Sequence, residues 1–138
     1  MKRKSWDEYW MDIAVMVASR SGDPSTKVGA VIVGSDNRII STGYNHYPAG
    51  YPKSREDWSK PTKYKYVSHA EMSAIIYSKQ DLTKSTLYVT LSPCSTCAKL
   101  IASSGIKNVV FLEERKDVIS DEILKWSGVN VRQINPKK

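Results

Sequence analysis

The sequence is short of the residues that build disulfide-bonded or metal-rich scaffolds. Its 138 residues include two cysteines and two histidines. Two cysteines make one disulfide at most, and a reducing compartment keeps such a pair as thiols. A four-ligand structural zinc site would need both histidines, and the spacing of His46 from His69 does not fit a finger-type pair. No apolar run is long enough to cross a bilayer. The basic start, Met1-Lys2-Arg3-Lys4, leads into Trp6-Asp7-Glu8-Tyr9-Trp10 instead of an apolar signal core. A cytoplasmic location without a membrane partner is expected. Internal repeats, low-complexity tracts and linkers are also missing, so residues 1–138 read as a single domain. Acidic residues are scarce, 14 against 21 Lys and Arg, for a net charge of +7. That excess fits a solvated basic surface, or attraction to an anion such as a nucleotide phosphate or a nucleic-acid backbone. Charge alone does not choose between them.

What is present is a regular alternation of elements. Ser5 and Glu8 have capping-box spacing, and Trp6, Trp10, Ile13 and Val17 recur at helical intervals, predicting an amphipathic helix that ends near Ser19. Trp6 and Trp10 read as packing residues. Ser21-Gly22-Asp23-Pro24 is a turn. Gly29 to Val33 and Ile39 to Tyr44 form a hairpin around Gly34-Ser35-Asp36-Asn37. The stretch from Asn45 to Tyr66 has no clear period, and a loop that long in a small domain is usually functional or mobile. A helix follows over Ala70 to Lys79, with Met72, Ile75 and Ile76 on its buried side. Then come a strand from Leu87 to Leu91, a helix from Ser95 to Ser103 closed by Gly105, and a strand from Val109 to Leu112. A short helix capped by Ser120 ends near Gly128, and Val129 to Ile134 alternates like a strand. The order predicts a layered α/β domain with a mixed sheet.

Two motifs carry the chemistry, His69-Ala70-Glu71 and Pro93-Cys94-Ser95-Thr96-Cys97. Each is weak alone, because a Cys-x-x-Cys can be a redox pair and a His beside a Glu is common on surfaces. Together, each at the start of a helix, they offer one imidazole and two thiolates, the three protein ligands of a catalytic zinc that keeps one position open for water. Helix N-terminal positions lower thiol pKa values. Two thiolates offset the charge of the metal, so its bound water needs a nearby base, and Glu71 sits on the first turn of the helix that follows His69. The competing reading of Glu71 is a carboxylate that merely favours a helix N-terminus. No third cysteine exists for a second thiolate-rich site, so one zinc per chain is expected.

With these motifs the sequence resembles the cytidine/deoxycytidylate deaminase family, and within it the deoxycytidylate branch. The similarity runs from Asp23-Pro24-Ser25-Thr26-Lys27-Val28-Gly29-Ala30 through Gly43-Tyr44-Asn45, Tyr66-Val67-Ser68-His69-Ala70-Glu71-Met72, Leu87-Tyr88-Val89-Thr90 and Pro93 to Lys99, reaching Gly105-Ile106. The resemblance implies a three-layer cytidine-deaminase-like fold, a central five-stranded mixed sheet flanked by helices, in a homo-oligomer. It implies His69, Cys94 and Cys97 as zinc ligands and Glu71 as the proton shuttle. It implies hydrolytic deamination of dCMP to dUMP with release of ammonia, in the supply of dTMP precursor. It also places the amide of Asn45 and the backbone N–H of Ala70 at the substrate, although a turn residue after a strand would also explain Asn45. Lys27 and Arg115 are candidates for the substrate phosphate, each with a plain surface-cation alternative.

Tyr44 and His46 are candidate regulatory positions. Relatives often carry Gly-Tyr-Asn-Gly at a turn associated with nucleoside triphosphate effectors, dCTP as activator and dTTP as inhibitor, with Mg2+ accompanying the triphosphate. Here His46 stands in place of the last glycine. Two other readings share parts of the pattern: an RNA-editing deaminase of the tRNA adenosine type, which has the same metal motifs, and a zinc-bearing binding module without catalysis, which would have no need of Glu71. A nucleic-acid partner is not expected.

Overall fold

The computed structural model describes residues 2–134. The chain begins with helix α1 (Trp6–Ala18), whose capping box is complete. The Ser5 hydroxyl accepts from Glu8 N at 3.1 Å, and the Glu8 carboxylate accepts from Ser5 N at 2.9 Å. Strands β1 (Gly29–Val33) and β2 (Ile39–Tyr44) form the antiparallel hairpin. A short 3-10 turn (Lys53–Arg55) and the four-residue helix α2 (Lys63–Tyr66) interrupt the long segment that follows. Next come α3 (Ala70–Ser78), β3 (Thr86–Leu91), α4 (Ser95–Ser104), β4 (Asn108–Glu113), α5 (Val118–Trp126) and β5 (Asn130–Gln133).

The five strands form one mixed sheet in the order β2-β1-β3-β4-β5. β1 is antiparallel to β2 and β3, whereas β3, β4 and β5 run parallel. Successive side chains on a strand point to opposite faces, and both faces here are covered. Ala30, Ile32, Leu87, Val89, Val109 and Phe111 pack against α3, α4 and α5. Val31, Val33, Tyr88 and Val110 pack against Trp10, Met11 and Ala14 of α1. The result is three layers, helix α1, the sheet, and three helices, as expected from the sequence. Asp7 ties α1 across the sheet by accepting from Tyr88 Oη and from Arg132 Nη2 of β5, both at 2.6 Å. Among the described residues, no helix is long and apolar enough to cross a membrane.

Several local expectations are corrected. The buried side of α3 carries Ala70, Glu71, Ser73 and Ala74, while Ile76 is 63% exposed. The reason is steric. A methyl group at Gly43 of β2 would lie 2.5 Å from both Ala70 O and Ala74 N. The helix backbone rides directly on the strand, so only small side chains fit between them. Trp6 is exposed and stacks on buried Trp10, with ring centroids 5.5 Å apart. Helix α5 is capped by Asp117, which accepts from Ser120 N at 3.0 Å, and the Ser120 hydroxyl turns inward to Pro93 O. The last strand is shorter than the alternation from Val129 to Ile134, and all of its residues are exposed. Asn45 to Tyr66 is aperiodic but well anchored. Buried Tyr47 packs against Tyr51 and Trp58, and its hydroxyl accepts from Asp57 N at 2.8 Å.

The Gly43 contact sets a test. Gly43→Ala inserts a carbon against backbone, which cannot rotate away as a side chain can. Overpacking a core typically costs about 1–3 kcal/mol, and the upper end is expected here, read as a lower denaturant midpoint in equilibrium unfolding.

Candidate active site

The site lies where two helices begin, outside the carboxyl end of β3, the side of an open α/β sheet where ligands are usually bound. His69 is the N-cap residue of α3 and Cys94 that of α4. Both have extended backbones, and neither side chain caps its own helix. The imidazole and the thiol are therefore free to turn outward. Cys97 lies on the first turn of α4 and is fully buried. The approach to His69 is held by a bridge in which His46 N donates to Ser68 O at 3.1 Å and Ser68 N to His46 O at 2.8 Å.

Three donor atoms converge. Cys94 Sγ and Cys97 Sγ each lie 3.4 Å from His69 Nδ1, and all three lie within 4.8 Å of one another. Ligands sharing one tetrahedral zinc at usual bond lengths stand about 3.5 Å apart, nitrogen to sulfur. The donor set and its spacing thus fit a zinc ion. A hydrogen bond from Cys97, with help from His69, holds the Cys94 thiol down at about 3, so it is a thiolate at neutral pH. The same bond, together with burial, pushes the Cys97 thiol well up. The N–H of Met72, in the first turn of α3, also points at the Cys97 sulfur and favours its anion. The neighbouring Cys94 raises His69.

Glu71 is 4% exposed. Burial raises its carboxyl above the usual range, against the opposing pull of its own backbone N–H and of His69. Glu71, His69 and Cys94 line a cleft of about 330 Å³ together with Asn45, Ala70 and Arg115. The Asn45 amide is oriented by two bonds: its oxygen accepts from Val28 N at 2.9 Å, and its nitrogen donates to Thr26 O at 3.0 Å. Arg115 is held beside the Cys94 turn by Ser92, whose hydroxyl accepts from Arg115 N at 2.7 Å and donates to Arg115 O at 3.0 Å. Asp117 bridges the starts of α4 and α5, accepting from Ser95 N and Ser120 N, both at 3.0 Å.

The fold therefore gathers seven of the residues singled out in the sequence: His69, Ala70, Glu71, Cys94, Cys97, Asn45 and Arg115. It does not bring Lys27 among the cleft-lining residues; that side chain is on an exposed stretch and its ammonium donates to Ser21 O at 2.6 Å. Tyr44 and His46 also lie outside the lining. Their rings meet each other at 5.2 Å, and His46 Nε2 pairs with Ser73 Oγ at 3.0 Å. The cleft has walls that the sequence reading passed over, chiefly Asp23, Lys63 and Tyr64. Asp23 read as a turn residue, and Lys63 sat in the aperiodic segment. Nothing local marks a lysine that will be buried against a distant aspartate.

Comparison with known proteins follows the same lines. Residues 4–113 match the cytidine and deoxycytidylate deaminase zinc-binding region. The chain is 39% identical over 144 residues to deoxycytidylate deaminase of Mus musculus, covering 96% of this chain and 81% of the relative. It is 40% identical over 145 residues to deoxycytidylate deaminase of Homo sapiens, with the same coverage. The crystal structure of dCMP deaminase from the cyanophage S-TIM5 in complex with dCMP and dUMP superposes with a TM-score of 0.80 at 27% identity, covering 97% of this chain and all of the other. The family match over most of the chain, and relatives about 40% identical along 96% of it, agree with the His/Cys/Cys donor set and the buried carboxylate beside it: this chain is a member of the cytidine and deoxycytidylate deaminase family.

Proposed function

We propose that the protein is a zinc-dependent hydrolase that converts dCMP to dUMP and ammonia. The observation that carries the reading is the buried Glu71 carboxyl sharing one cleft with His69 and Cys94, two of the three clustered donors, with Cys97 buried behind them. A purely structural metal site has no use for a desolvated acid aimed into a cleft. His69, Cys94 and Cys97 would hold the zinc, which when bound supplies the Lewis acidity that makes water nucleophilic at neutral pH.

The remaining work falls to the chain's own groups. Glu71 accepts a proton from the attacking water and delivers it to the ring nitrogen of cytosine, and then serves the departing amine at carbon 4. A carboxyl raised by burial suits both directions, because its affinity for the proton lies closer to neutrality than that of an exposed glutamate. The N–H of Ala70 is one of the first-turn donors with no acceptor inside its helix, and it faces the base. Its small side chain lets the ring approach. The free valences of the Asn45 amide bond the sugar. Arg115 contributes a fixed positive charge to the cleft and pairs with the substrate phosphate. Lys27, already engaged with a backbone carbonyl, is not needed for this.

Three outcomes test the reading. The purified protein binds one zinc per chain; a chelator abolishes activity and zinc restores it, and zinc affinity rises with pH because binding displaces protons from the ligands. Metal analysis by mass spectrometry finding two tightly bound ions per chain contradicts the single site. Glu71→Gln keeps zinc and melting temperature while kcat falls by about 100- to 10,000-fold, in an ammonia-release assay. Finally, kcat/KM for dCMP exceeds that for deoxycytidine by at least tenfold, about 1.4 kcal/mol, and Arg115→Ala narrows the gap. Assay of dCMP, deoxycytidine, dCTP and tRNA side by side reads this preference directly, and equal specificity for the free nucleoside refutes the phosphate contact.

A further inference from the structure

The lining of the cleft contains an ion pair that the reaction as described does not use. Lys63 and Asp23 are 4% and 3% exposed, and their charged atoms meet at 2.8 Å. All three donors of the Lys63 ammonium are engaged: with Asp23 Oδ2 at 2.8 Å, Asp23 Oδ1 at 3.0 Å and Ser25 Oγ at 2.8 Å. The ammonium cannot bond a substrate phosphate without giving up one of these. Its effect is exerted on Asp23.

Asp23 organises the segment that holds Asn45. Its carboxylate accepts from Ser25 N at 2.8 Å and Thr26 N at 3.1 Å, and its own N–H donates to Ser21 Oγ at 3.2 Å. Ser21 Oγ in turn donates to Asn45 O at 2.9 Å. Thr26 O accepts from the Asn45 amide, and Val28 N donates to it. Asn45 is thus gripped through its backbone and its side chain by a turn whose shape depends on a buried carboxylate. Burial raises that carboxylate, but bonds from Lys63, Ser25 and Thr26 outweigh the effect and hold it below the usual range. An ion pair out of water stabilises only when its hydrogen bonds are complete, and losing one partner strands the other charge. Lys63 arrives from α2, in the long segment between β2 and α3, and brings Tyr64 into the same wall.

We infer that Lys63 is a positioning residue: through Asp23 and the turn at residues 21–28 it sets the orientation of the Asn45 amide, and so couples the β2–α3 segment to recognition of the nucleotide. The inference rests on the assignment of Asn45 to substrate binding, and a double-mutant cycle separates the two. Deamination of dCMP is measured for the zinc-loaded wild type, Lys63→Met, Asn45→Ala and the double variant, with zinc content and melting temperature recorded for each. Misplacing a binding group by about an ångström costs up to about 100-fold in rate. Lys63→Met is expected to lose about 10- to 100-fold in kcat/KM, with most of the change in KM, and Lys63→Arg to recover part of it. In the Asn45→Ala background, Lys63→Met should cost no more than about threefold further, because the group it positions is gone. Losses that multiply in the double variant overturn the inference and leave Asn45 in place as a substrate contact. Wild-type activity in Lys63→Met overturns it as well. Wild-type activity in Asn45→Ala removes Asn45 from the substrate site, and the proposed route falls with it. If Lys63→Met does not fold, the uncharged pair Asp23→Asn with Lys63→Met replaces it in the same cycle, since that pair leaves no stranded charge.

Discussion

The close contact of α3 with β2 over Gly43 is the constraint on which the site depends. Because the helix backbone touches the strand backbone, the start of α3 has one position relative to the sheet. That position puts His69 opposite the start of α4, where the order of β3 and α4 delivers Cys94 and Cys97. Close-packed interiors do not deform continuously, so three donors from two helix starts can be held at a spacing that suits one metal ion. The same contact explains the composition of α3. Its inward face is Ala, Ser and Glu71, while Ile76 and Tyr77 are exposed and Ile75 packs, partly buried, against the core.

Burial is then used to set charge. Glu71 has little water around it, which raises its carboxyl. Cys94 is half-buried, yet hydrogen bonds hold it as a thiolate. Asp23 is as buried as Glu71 but stays ionised, because it has an ammonium and several N–H and O–H donors around it. These acids differ in the donors around them. An acid with few donors keeps its proton longer and can exchange it, whereas an acid surrounded by donors serves as a fixed anchor. The cleft lining holds one of each kind.

Much of the architecture was legible in the sequence because its signals are local. The capping box at Ser5 and Glu8, the left-handed Gly105 that closes α4, and the short apolar run of β1 report conformations decided within a few residues. The metal donors were legible for a related reason: Cys-x-x-Cys places two sulfurs on one helical turn, and His69-Ala70-Glu71 places a ligand and an acid at one helix start. The misreadings occur where a distant partner overrides the local pattern. Ile76 follows the apolar period of α3 but faces outward, because Gly43 has already claimed the inner face for small residues. Ser120 looks like a cap, but Asp117 takes that role, since one carboxylate there can serve two helix starts at once.

Lys27 and Lys63 mark the boundary most clearly. In the sequence both are cations near motif residues, and Lys27 stands closer to the recognisable Asp-Pro-Ser-Thr stretch. The side-chain types and their spacing determined the elements, the His/Cys/Cys donor set and the acid beside it. Only the tertiary structure decided which lysine enters the cleft. It did so by bringing residue 63 against residue 23, 40 positions apart in the chain, and a buried ion pair forms only where both partners lose their water together.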